Sequence, residues 1–311
     1  MICPICRVDD SVSIAGPQKR WRYQRCVKCE HRWLAPIPDE RELAQHYNSA
    51  YAVVRETYIA QAADKAREVT PIIKALSAQP GRMLEIGCSY GALLKAFQDQ
   101  GWEADGVEID ARAAEFARTQ YGLNVLEGTL EQTKAKLRPP YDVVMMYHVV
   151  EHISDPLAFC RLVRTIMSER GVLVLKTPNA SSTASRQTGG WWEWALAPEH
   201  VHLYSPASLE MLLRQTGFAL RDTVLRRGDA TPVPYQLAQA AIKRLTGVGR
   251  RGSAATADNG AAPPALRSFG WYRVIDGAAR VVMTPANLAF AAAARFGVVT
   301  ESELLVTADA R

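Results

Sequence analysis

The 311-residue chain predicts an α/β protein. Its centre is a doubly wound sheet of seven strands, the last antiparallel, with a small cysteine-bearing ribbon in front and a helical insertion before the final strand. Three observations carry that expectation. From residue 81 to 228, short apolar runs alternate with stretches whose apolar residues recur every three or four positions, the pattern of a parallel sheet covered by helices. The segment "LEIGCSYGALLKAF" (84–97) passes from strand to helix through Gly87 and Gly91. Four of the six cysteines stand in the first thirty residues as two C-x2-C pairs.

Those cysteines, Cys3, Cys6, Cys26 and Cys29, have nineteen residues between the pairs, a spacing within the range of structural zinc sites. Two such turns can close four sulfurs around Zn2+. A pair of disulfides would instead need an oxidising compartment, which nothing else in the chain suggests. His31 reads as a bystander, because four thiolates already complete the shell. Between the pairs, "QKRWRYQRCVKCEHRW" alternates basic and aromatic residues, as a hairpin strand with one solvated face would. The same residues could grip a nucleic-acid strand, but so small a ribbon uses its aromatics for packing. The ribbon ends at "APIP" (35–38), and residues 39–80 carry the three-and-four spacing of lead-in helices.

Composition sets the remaining limits. The chain is 48% hydrophobic with net charge +5, enough to bury a core and short of the basic blocks that by themselves argue for nucleic acid. It shows neither a secretory signal pattern nor an uncharged stretch of the roughly 20 residues a membrane span needs, so the expected location is cytoplasmic.

The turn at 87–91 lies where a strand's carboxyl end meets a helix N-terminus, and glycines there let a ligand approach the backbone. A second strand, "ADGVEID", ends in Glu108, and an acidic group about twenty residues past such a turn is placed to bond ribose hydroxyls. The ligand is therefore read as a nucleoside. Glu85 decides which kind: a carboxylate before the glycines repels a pyrophosphate but orients an ammonium group.

The succession E-x-G-x-x-x-G (85–91), GVEID (106–110) and "YDVVMMYHVVEHISDPLAFCRLVRTIMSERGVLVLKTPN" (141–179) resembles the class I S-adenosylmethionine-dependent methyltransferases from about Met83 to Arg226. It is most similar to the branch containing ubiquinone-type O-methyltransferases and methyltransferases of sugar and polysaccharide biosynthesis. The resemblance implies a Rossmann-like sheet, S-adenosylmethionine as cofactor and a cofactor-binding set of Glu85, Gly87, Ser89, Gly91, Glu108, Ile109, Gly128, Thr129, Leu130 and Tyr147. Ser89 stands where the family usually has a third glycine. The expected strands are Tyr141 to Tyr147, Val172 to Thr177 and Phe218 to Leu225, with helices at Pro156 to Ser168 and Pro206 to Thr216.

After the strand at 141–147, "YHVVEH" holds His148, Glu151 and His152, which share a face if the turn is helical. H-x-x-E-H is also a zinc-protease motif, but that motif needs a long helix and a further ligand. In ubiquinone-type relatives the corresponding residues can hold a divalent cation; here His148 replaces an acidic member. A histidine acting as general base suits proton removal near neutral pH, and His148 or His152 is the preferred base. The bland alternative has Glu151 and His152 merely bracing the loop. The long segment 179–209, with Trp191, Trp192 and Trp194, could cover the cofactor and offer indoles to a sugar, or serve equally as a hydrophobic plug. Within it "PEHVHLYSP" resembles an element of the same branch, which makes His200 and His202 further candidates for the base.

Residues 229–299 read as an insertion: a short helix at 234–245, a Gly- and Pro-rich linker at 247–264, and an apolar helical pair at 271–296. That pair, with arginines nearby, is a candidate for lying on the inner face of a membrane or for forming a homodimer. Residues 300–311 supply the final strand. The expected reaction is methyl transfer from S-adenosylmethionine to a hydroxyl of a sugar, glycan or other polar small molecule. The alternatives are C-methylation of a keto sugar and methylation of nucleic acid through the basic ribbon. The N-P-P-Y type signature of amino methyltransferases is absent after the strand at 141–147, where "MYHVVE" stands instead, which counts against base N-methylation.

Overall fold

The computed structural model describes residues 1–17, 20–39, 41–43, 55–76, 79–226, 237, 240, 241, 244 and 303–310. The chain begins with β1 (Ser11–Ser13), β2 (Arg22–Cys26), β3 (Arg32–Ala35) and the helix α1 (Arg55–Leu76). Strand and helix then alternate: β4 (Arg82–Ile86), α2 (Ala92–Gln98), β5 (Glu103–Glu108), α3 (Ala111–Tyr121), β6 (Asn124–Glu127), α4 (Leu130–Thr133), β7 (Tyr141–Tyr147), α5 (Pro156–Thr165) and β8 (Met167–Pro178). There follow α6 (Thr183–Thr188), β9 (His202–Leu203), α7 (Pro206–Gln215), β10 (Phe218–Arg226) and β11 (Glu303–Ala310). The expected linker at 247–264 and the apolar pair at 271–296 lie outside the described residues, as does the proposed membrane or dimer contact there. Among the described residues no helix is long and apolar enough to cross a membrane.

Contacts gather the chain into two units. The body of alternating elements comprises residues 53–177, 208–224 and 304–311. Its sheet has the order β10-β11-β8-β7-β4-β5-β6, with the last strand antiparallel. Met83, Leu84 and Ile86 of β4 and Val143 to Met146 of β7 are buried, as a parallel strand covered on both faces requires. The chain steps from β4 outward through β5 to β6, then returns to place β7 on the other side of β4. That reversal creates a crevice beyond the carboxyl ends of β4 and β7.

Helix starts follow local chemistry. Asp110 accepts from the Arg112 amide, Asp155 from the Ala158 amide, and Thr129 forms a reciprocal capping box with Gln132, each cap contributing about 1 kcal/mol. Pro156 sits in the first turn of α5, where its missing N–H costs nothing. Leu157, Phe159, Cys160 and Val163 fill the buried face of α5. Two boundaries differ from expectation. Helix α5 stops at Thr165, and β8 begins at Met167 rather than Val172. Met167 pairs with Tyr141, and the register then shifts, so that Val172 pairs with Val143; the polar "SERG" between them reads as a turn but is carried inside an irregular strand.

The second unit joins residues 1–52 with 178–207 and 225–303. Its sheet runs β1-β2-β3-β9, with β3 antiparallel to both neighbours, Arg32 opposite Leu203 and Trp33 opposite His202. Its core packs Tyr23, Leu34, Ala180, Ala184, Trp192, Ala195 and Leu203 together. The N-terminal ribbon therefore shares one core with the segment that follows β8.

Candidate functional site

In the unit of alternating strands and helices, the carboxyl ends of β4 and β5 bring the two expected acidic residues to adjacent strands, with Glu85 opposite Gly106 and Ile86 opposite Val107. Both carboxylates are buried. Burial pushes the Glu85 carboxyl up to about 8, opposed by the Lys65 charge and reinforced by Glu108. Glu108 is also pushed up by burial, against the hydrogen bonds that its oxygens accept from the amides of Ser89 (2.6 Å) and Asp110 (2.9 Å). Among the described residues Glu85 Oε2 is buried without a hydrogen-bond partner, an arrangement that costs free energy unless a ligand donor meets it.

The turn between them is built from left-handed backbone: φ is +74° at Gly87, +48° at Ser89 and +73° at Gly91. Ser89 thus adopts the conformation that favours glycine, and its amide is held by Glu108. Gly91 also serves packing: a Cβ there would lie 2.6 Å from Leu123 Cδ1 and 2.8 Å from Ala117 Cβ. Ile109 stands 50% exposed beside Glu108, an apolar surface of the kind an adenine ring covers. The Gly128 amide donates to the Glu108 carbonyl at 2.8 Å, Thr129 is committed to its capping box and Leu130 is buried. Tyr147 is buried at the end of β7 and reaches Glu68 of α1, whose carboxylate also pairs with Lys176 at 3.1 Å.

Past β7, Val150–His152 form a single 3-10 turn. His148 precedes it in left-handed backbone, φ +54°, rather than riding on a helix face. Its Nδ1 nevertheless lies 3.0 Å from Glu151 Oε1, and Glu151 Oε2 accepts from Thr177 Oγ1 at 3.0 Å. Glu151 and Thr177 are fully buried. His152 lies on the 3-10 turn and is half-buried.

His200 and His202 belong to the second unit. His200 Nδ1 donates to the Trp194 carbonyl at 2.7 Å, and its ring stacks on that indole. His202 lies in β9 with its Nδ1 3.0 Å from His31 Nε2. Burial pushes His31 well below the usual imidazole range, so its ring is neutral. In the same unit the sulfurs of Cys3, Cys6, Cys26 and Cys29 all lie within 4.8 Å of one another, Cys3 3.7 Å from Cys29 and Cys6 3.4 Å from Cys26. None is in a disulfide. A tetrahedron with arms of about 2.3 Å places sulfurs about 3.8 Å apart, so the cluster fits a zinc ion.

The residue pattern of the methyltransferase-domain family matches residues 58–223. The chain belongs to that family. As a class I S-adenosylmethionine-dependent methyltransferase, it is similar to the ubiquinone biosynthesis O-methyltransferases of Cereibacter sphaeroides, 31% identical over 157 residues, 47% of this chain and 62% of that protein. The relative of the same name from Maricaulis maris is 27% identical, covering 46% and 61%. The chain thus spans about three fifths of the curated relatives it matches. Among solved structures, a SAM-dependent methyltransferase from Archaeoglobus fulgidus aligns with TM-score 0.48 and 19% identity over 87% of this chain and 100% of that one.

For a methyltransferase of this family the cleft chemistry fits S-adenosylmethionine: the buried Glu85 Oε2 suits an ammonium group. Sequence reasoning missed Thr177 and the His31 contact to His202. Thr177 looks like any strand threonine, and only its position one residue past Lys176, whose carbonyl accepts the His148 amide, could have flagged it.

Proposed function

We propose that this methyltransferase carries a methyl group from S-adenosylmethionine to a hydroxyl oxygen of a sugar, glycan or related polar small molecule. The observation that carries the reading is the buried Glu85 Oε2, partnerless among the described residues, next in the sheet to the strand that ends in Glu108. Glu85 takes the ammonium group, and Glu108 takes the ribose hydroxyls while fixing the turn through the Ser89 amide. Bound S-adenosylmethionine supplies an already electrophilic sulfonium methyl, so the chain's task is alignment and proton removal. Alignment alone contributes about 7–11 kcal/mol to such reactions. His148, at the end of β7, removes the hydroxyl proton.

The name of the relatives supports oxygen as the methylated atom. The thiolate cluster holds a structural zinc ion, one per chain.

Calorimetric titration with S-adenosylmethionine, followed by a mass-detected screen of sugar and polar hydroxyl acceptors, tests the assignment. Saturable binding and a gain of one methyl mass on an acceptor oxygen are expected. Absence of binding sinks the cofactor assignment, and methylation confined to carbon or nitrogen acceptors sinks the oxygen assignment.

A further inference from the structure

We propose that Thr177 and Glu151 are positioning residues that fix the proton of His148 on Nδ1 and leave Nε2 as the basic nitrogen. His148 stands where the sheet order reverses, in a backbone conformation that residues other than glycine rarely hold. Strain of this kind persists only where the surroundings enforce it. Strand β8 does so twice: the Lys176 carbonyl accepts the His148 amide at 2.9 Å, and the next residue, Thr177, bonds the carboxylate that faces the ring. A carboxylate only accepts, so the atom 3.0 Å from Glu151 Oε1 must be Nδ1–H. The proton's position on one ring nitrogen is set by the bond the other partner makes.

Thr177 completes the device. Glu151 is buried, and the Thr177 hydroxyl on Oε2 orients its carboxylate with Oε1 toward Nδ1. The His148 side chain remains 25% exposed, so a second molecule can reach the imidazole. The consequence for catalysis rests on the methyl-transfer reading above, whereas the tautomer itself does not.

Nitrogen-15 NMR of histidine-labelled protein at about pH 8.5, above the ordinary imidazole range, reads the tautomer directly. The expected wild-type spectrum has His148 protonated on Nδ1, the less common form in free peptides. Thr177→Val lowers the Nδ1–H to Nε2–H ratio by about threefold or more, the loss of one hydrogen bond, and Thr177→Ser restores it. A wild-type proton on Nε2, an unchanged ratio in Thr177→Val, or a change that Thr177→Ser fails to reverse overturns the proposal. If Thr177→Val does not fold, Thr177→Ala serves for the same comparison. Calorimetry with S-adenosylmethionine on the wild-type sample separates the two readings: loss of binding there sinks methyl transfer and leaves the tautomer result standing.

Discussion

His31 Nε2 lies 3.0 Å from His202 Nδ1, tying the strand after the second cysteine pair to a segment 171 residues farther along the chain. Around it Ser205 Oγ donates to the Cys29 carbonyl, Tyr23 hydroxyl to the His200 carbonyl, and the Arg32 guanidinium to Ala180 and Ser185. The cysteine cluster and residues 178–207 are therefore one folded body, and the metal should stabilise both. Removing the ion with a chelator, or replacing Cys26 with serine, is expected to raise amide hydrogen exchange across 199–205 by about tenfold or more, because structural zinc sites contribute folding free energy outright. Metal analysis should find one zinc per chain before treatment. Unchanged exchange in the stripped protein would separate the cluster from that segment.

Glu108→Ala should weaken S-adenosylmethionine binding by about ten- to a hundredfold, the loss expected for one or two hydrogen bonds to a charged group. The variant also frees the Ser89 and Asp110 amides, so Glu108→Gln is the milder control. Equal calorimetric affinity in wild type and Glu108→Ala would contradict the ribose assignment.

Glu85 gives a pH signature. With its carboxyl raised to about 8 by burial and by Glu108, despite Lys65, it is mostly protonated at neutral pH in the free chain. An ammonium group beside it favours the ionised form, so binding near pH 7 releases a proton, and that release fades as pH rises past 8. The binding enthalpy should accordingly vary with the ionisation enthalpy of the buffer, and Glu85→Gln should abolish the variation. The same shift has a stability counterpart: a raised folded-state pKa means the free chain loses stability as pH climbs toward 8. Buffer-independent enthalpies at pH 7 would refute the assignment.

Asp105 anchors the opposite end of β5. Buried, it accepts from the Tyr141 hydroxyl and the Asn124 amide, both at 2.7 Å, and pairs with Arg138. Asp105→Ala leaves those donors without their acceptor and should cost about 3 kcal/mol in denaturant unfolding, with a lower midpoint and an unchanged slope. A loss under about 1 kcal/mol would mean that water replaces the carboxylate without penalty.

What the sequence made legible follows from how local each signal is. Strand β7 carries a continuous apolar run up to Tyr147 and β4 a shorter one around Glu85, while β5, with three acidic residues in six, was readable only from its place between two helical patterns and from Glu108 at its end. The cysteine pairs were readable because two short turns set the geometry. The union of the ribbon with residues 178–207 was not: it depends on β9, two residues long, and on side-chain bonds spanning more than 140 positions. Gly91 shows how a familiar pattern can carry a second constraint that the sequence hides, since Leu123 and Ala117 leave no room there for a side chain.

The pairing of β3 with β9 also governs how the chain is made. During synthesis the first three strands emerge long before His202 and Leu203, and at roughly 5–20 residues per second their fourth partner arrives about ten to thirty seconds later. Until then the nascent chain presents an open strand edge at Arg32–Ala35, so early metal loading and protection of that edge by a chaperone would govern the yield of folded product.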